Sequence, residues 1–148
     1  MLAGAILVVM LWTGASGTTT TAPRVATPAP PGTAEELAAV VEQARRRFVA
    51  KDAGGVLAHV ADNYRSSGVT KPAVREQLLT LYSLYEELRA RVRIDHVEMV
   101  SGDVWFYTTG EITGRMPLLG WVTVLSWQRE PEVARRQGGV WRLVGFQD

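Results

Sequence analysis

Between Arg89 and Val92 the chain changes its period, and that change limits the folds open to it. Upstream, apolar residues recur every three or four positions. They are Leu37, Val40, Val41, Ala44 and Phe48, then Val56, Leu57 and Val60, then Val74, Leu78, Leu81, Tyr85 and Leu88. Such spacing makes amphipathic helices. Downstream, apolar and polar residues alternate, as half-buried strands require. Helices first and strands after predict an α+β domain, with three helices followed by a four-stranded antiparallel meander.

Local signals refine this outline. Thr33 followed by Glu36 predicts a capping box at the first helix start. Asp52 is placed to cap a second, short helix, which Gly54 and Gly55 weaken by up to about 1 kcal/mol each. Residues 62–68 (DNYRSSG) are turn formers, and Thr70 with Pro72 opens a third helix reaching Leu88. Arg45, Arg46 and Arg47 read as a solvated helix face. In the first strand Val92 and Ile94 are out of phase with Val97 and Met99. One extra residue at Asp95–His96 restores a common face, which predicts a β-bulge there. Ser101-Gly102-Asp103 is a hairpin turn. The second strand, residues 104–113, sets Trp105 and Tyr107 on one face and Val104 and Phe106 on the other. After a turn at 114–120 comes a third strand, 121–129, with Trp121, Leu125 and Trp127 in phase. A polar loop, 130–139, leads to a last strand, 140–146, in which Trp141 and Leu143 share a face.

The N-terminus has a different character. Residues 1–12 (MLAGAILVVMLW) are apolar and uncharged, long enough for a signal-peptide core and too short for a membrane-spanning helix. Small residues follow, and Thr13 and Ala15 suit a cleavage site. No Lys or Arg precedes the run, and Ser16 stands where a lipidated cysteine would be. Residues 1–17 therefore read as a signal peptide, or as an apolar anchor that forms a weak membrane tether if uncleaved. Residues 18–32 are rich in Thr, Pro and Ala, with four prolines, and read as a disordered linker. The domain proper is 33–148, and its address is exported: periplasmic, secreted or tethered.

Composition excludes several classes. Sixteen basic against fifteen acidic residues leave a charge of +1, which argues against nucleic-acid binding. Cysteine is absent, so there are no disulfides or thiolate sites. No phosphate loop, dinucleotide fingerprint or metal motif occurs, so neither a cofactor nor a metal is expected.

The element order carries a resemblance. Helix, short helix, the turn ADNYRSSG, a longer helix and four strands ending in GGVWRLVGF are similar to the nuclear transport factor 2-like superfamily, also called SnoaL-like or cystatin-like. The resemblance implies a sheet curled around the helices into a cone with a pocket. It implies enzymes such as ketosteroid isomerase, scytalone dehydratase and polyketide cyclases, and equally many members that bind, scaffold or dimerise. The isomerases' basic carboxylate falls here on Ser66-Ser67-Gly68, which has no acid. The dehydratases' histidines with an acid find only His59 and His96.

The residues themselves offer two sites. His59 and Asp62, three apart, share a helix face and with Tyr64 form a candidate acid–base group. Tyr64, Tyr82, Tyr85, Trp105 and Tyr107 are candidate lining for an apolar ligand pocket. Glu111, in an aromatic strand, is expected to point outward. Val104, Phe106, Val122 and Val124 form a candidate apolar patch for homodimerisation through the outer sheet face. The reading these features favour is non-enzymatic binding of a small apolar ligand or a protein partner. The alternative is a cofactor-free lyase, isomerase or cyclase using His59, Asp62 and Tyr64.

Overall fold

The computed structural model describes residues 25–145; the apolar segment 1–17, the linker up to residue 24 and Phe146 lie outside them. Helix α1 (Thr33–Val49) is followed by α2 (Ala53–Leu57). A two-stranded hairpin follows, β2 (Arg65–Ser66) with β3 (Val69–Thr70), and then α3 (Lys71–Leu84). Four strands complete the chain: β4 (Glu87–Val100), β5 (Asp103–Met116), β6 (Gly120–Gln137) and β7 (Val140–Leu143). The α+β class, and the three helices among the described residues, agree with the sequence.

The sheet, however, has five strands, not four, in the order β1-β4-β5-β6-β7. Its extra strand, β1 (Ala26–Pro28), comes from the stretch read as linker and pairs antiparallel with Glu98–Val100. Proline is tolerated there because β1 is an edge strand.

Several local expectations change. Thr33 is buried and caps nothing; the α1 N-cap is Gly32, at φ 85°. Glu36, expected to reach back to that cap, instead accepts from Arg136 and, at 2.6 Å, from the Trp141 indole. These contacts, the Trp141 bond foremost, lower its pKa. Asp52 does cap α2, accepting from Gly55 N at 2.9 Å. Helix α3 stops at Leu84, so Leu88 belongs to β4, where it is fully buried. The expected loop 130–139 shrinks to Gly138-Gly139, because β6 runs to Gln137 and β7 pairs back on it. Both glycines have positive φ.

The predicted bulge exists: register shifts between Ile94 and His96, and Val92, Ile94, Val97 and Met99 all pack on one core. Two further irregularities, both in the β5–β6 pairing, have no counterpart in the sequence pattern; the first lies between Thr108 and Gly110. Between Ile112–Leu125 and Thr113–Thr123 the β5–β6 register slips by one residue. Leu125 and Trp127 therefore face the core, while Trp121 lies partly exposed under the Arg89 guanidinium at 3.8 Å.

The core lies between the helices and the concave face of the sheet. Leu37 and Phe48 of α1, Val56, and Val74, Leu78 and Leu81 of α3 meet Leu88, Phe106, Ile112 and Trp127 there. Gly110 and Gly114 let Trp127 and Tyr85 lie directly on the sheet, since a Cβ at either position would collide with those rings.

Candidate functional site

The three candidate catalytic residues face different surroundings. His59 is half-buried in a small gap beneath α1 with Val41, Ala44, Trp141 and Arg142. Burial, then the Arg47 charge, lowers its pKa. Asp62 is fully exposed and accepts from Lys71 Nζ at 2.8 Å, a bond that lowers its pKa. Tyr64 is buried in the core. Among the described residues no hydrogen bond or ion pair links the three.

The five aromatic candidates also divide. Tyr64, Tyr82 and Tyr85 pack with the core; Tyr82 leans on Phe48 with ring centres 5.8 Å apart. Trp105 and Tyr107 lie on the opposite face of β5, where Trp105 packs against Ala61, Val133 and Val144. The face alternation of β5 matches the sequence pattern with its polarity inverted: Val104 and Phe106 are core residues, each 2% exposed. The dimerisation patch built on them is therefore missing from the outer face. Glu111 lies on that face, accepting from Thr123 Oγ1 at 3.3 Å.

Two functional-looking features escape the sequence pattern. One is inside. Glu132 sits on the core face of β6 opposite Phe106, 2% exposed, and its Oε1 has no hydrogen-bond partner. The Tyr64 hydroxyl is similarly buried without a partner. Burial pushes both groups toward their neutral forms. Each also feels a nearby negative charge, Glu130 on Glu132 and Glu132 on Tyr64, and the neighbouring Ser66 hydroxyl only partly offsets the effect on Tyr64. Sequence alone hid this because Glu132 lies in a stretch (REPEVARR) that reads as solvated.

The other feature is outside. A cleft of about 670 Å³ opens between residues 26–32, the start of α1 and residues 94–98 of β4. A second, of about 430 Å³, continues it along α1 to Glu42, Arg45 and Val92, sharing Ala34, Glu35 and Ile94 with the first. At the rim the bulge turns His96 toward β5. Its Nε2 lies 3.2 Å from Glu98 Oε2, while Tyr107 Oη donates to Glu98 Oε1 at 2.9 Å. The His96 and Tyr107 rings are 5.9 Å apart. Asp95, the bulged residue, is held by Thr109 and by Arg93 at 2.7 Å; these bonds, Thr109 first, lower its pKa.

No protein-family model and no curated protein matches the chain by sequence. Solved structures do match by shape. Aln2 from a Streptomyces species superposes with a TM-score of 0.63 at 15% identity, over 80% of this chain and 90% of that one. A nuclear transport factor 2-like family protein from Streptomyces avermitilis, named as a candidate dehydratase, gives 0.62 at 13% identity, over 78% and 94%. Bd1075 of Bdellovibrio bacteriovorus gives 0.58 at 11% identity over 75% of this chain, which spans only 38% of that protein. Identities this low speak for architecture alone. A cystatin-like protein from Nostoc punctiforme and a nuclear transport factor 2-like protein from Pseudomonas putida also superpose on it. The chain thus has the fold of the nuclear transport factor 2-like proteins.

Proposed function

We propose that the chain is an exported binding module, working at the cleft beside β4 and not in the cone interior. One observation carries this reading: the interior is filled by its own side chains, and the open volume lies outside it. Phe48, Val56, Val74, Leu78 and Leu88 are all 0% exposed. The gap beneath α1 measures about 20 Å³, room for roughly one water molecule. The outer cleft is some thirty times larger and is walled by Pro28, Pro30, Ile94 and Val97, an apolar surface with a few polar groups at its rim. A small apolar ligand or a protein segment suits it.

The second reading is an acid–base enzyme. What favours it is the pair of buried, unpartnered groups on Tyr64 and Glu132, since strongly shifted groups inside a fold recur at reaction centres. Both readings meet one experiment. Amide chemical shifts of the labelled protein are followed while small apolar ligands and short peptides are added. The binding module predicts changes confined to residues 26–35 and 94–98. Changes centred on Tyr64, Phe106 and Glu132, or turnover of a ligand that Glu132→Gln abolishes, overturn it in favour of the enzyme.

A further inference from the structure

Strand β4 has partners on both sides only at its end. Strand β5 covers its whole length on one side, but on the other β1 covers only Glu98–Val100. After Pro28 the chain leaves this edge through Ala29-Pro30-Pro31-Gly32 and enters α1. Adjacent prolines have no N–H to pair, so the chain cannot continue as a strand there. Leu88 and Ala90 are buried, and Arg45 of α1 reaches the Ala90 carbonyl at 3.4 Å. Residues 91–94, up to the bulge at Asp95, are left as an edge beside the cleft. Among the described residues no strand pairs with them on that side.

The side chains along this edge alternate. Val92 and Ile94 turn inward to the groove against α1, where Ala38 and Val41 form the apolar part of the facing wall beside Glu35 and the Glu42–Arg45 ion pair. Arg91 and Arg93 turn outward and are exposed. Arg93 is paired with Asp95, whereas Arg91 stands opposite Glu111 of β5, with no ion pair to it among the described residues. Two copies meeting antiparallel with continuous outer faces would set Arg91 and Arg93 against each other or against themselves. Like charges directly opposite destabilise such pairing. A different strand, with carboxylates at alternate positions and small apolar residues between them, meets no such penalty.

Building on the binding role proposed above, we propose that the Arg91–Ile94 edge is a strand-addition site for an extended partner segment that alternates acidic and β-branched residues. Its backbone would pair with β4, its apolar residues would enter the groove over Val92 and Ile94, and its carboxylates would face Arg91 and Arg93.

The test uses the full chain and a fluorescein-labelled hexapeptide alternating valine and glutamate, followed by anisotropy and by amide shifts. Binding is expected, weakened at least tenfold in the Arg91→Glu/Arg93→Glu variant and restored there when lysine replaces glutamate in the peptide. Two further peptides carry N-methyl groups on alternate residues in opposite phases, so that each blocks one peptide edge. Only one phase is expected to bind. Equal binding of both phases, shifts away from residues 91–94 and α1, or indifference to the charge reversal overturns the proposal. If small ligands still map to residues 26–35 and 94–98 while no peptide binds, strand addition fails and the binding-module reading stands. If ligands map to the interior instead, that reading fails as well.

Discussion

Glu132 is the residue whose chemistry departs furthest from its surroundings. An unfolded glutamate ionises near pH 4.3; buried opposite Phe106, this one keeps its proton to higher pH. Above the ordinary range the folded chain therefore binds more protons than the unfolded one. Stability falls as pH rises, until the buried group itself ionises. Glu132→Gln removes that slope, so the variant gains on the parent between pH 5 and pH 8 in urea unfolding; a constant difference contradicts a neutral buried carboxyl. Glu42 has the opposite sign. Arg45 and Arg46 hold its pKa at about 2, and its contribution is lost as pH falls below the ordinary range toward that value. Leu118 offers a second test. It is fully exposed at φ 66°, a left-handed backbone that costs a leucine about 1 kcal/mol or more. Leu118→Gly is expected to raise stability by about 0.5–1 kcal/mol, seen as a higher melting temperature in calorimetry.

At the scale of the element, three register shifts decide which side chains reach the core. The bulge at Asp95 was legible because Val92 and Ile94 visibly fall out of phase with Val97 and Met99. The slip near Val124 was not, since Trp121, Leu125 and Trp127 look like one unbroken face; only pairing with β5 shows that Trp121 has crossed to the other side. The β1 strand was hidden for another reason. Three residues, one of them proline, carry no periodicity, and their pairing depends entirely on Glu98–Val100 being nearby. Gly110 marks where β5 has no room for a side chain, because the Trp127 ring and the Arg91 carbonyl occupy the space. Gly110→Ala is expected to cost about 1–3 kcal/mol in urea unfolding, whereas an exposed-site glycine such as Gly54 should tolerate alanine. Removing the Asp52 cap of α2 with Asp52→Ala is expected to cost about 1 kcal/mol.

Across the whole molecule, one apolar cluster ties every helix to the sheet. Unfolding is therefore expected to be two-state, with far-ultraviolet circular dichroism and tryptophan fluorescence giving one midpoint. Phe48→Ala, at the centre of that cluster, is expected to cost about 3–5 kcal/mol. Class, helix order and strand order were readable at this scale because each rests on a period sustained over many residues. The candidate site was not, because it is made by distant neighbours: the Glu132 carboxyl acts on Tyr64, and residues 26–32 lie beside 94–98, across stretches that no local pattern connects. The placement of β1 also sets an orientation. Val25 and Ala26, the first described residues, lie where β4 ends, beside the turn at Ser101. The β5–β6 turn at Pro117–Leu119 stands at the other end of a 14-residue strand, roughly 45 Å away along the ribbon. Val25, the first described residue, thus stands close to the cleft and far from the two bare leucines, Leu118 and Leu119.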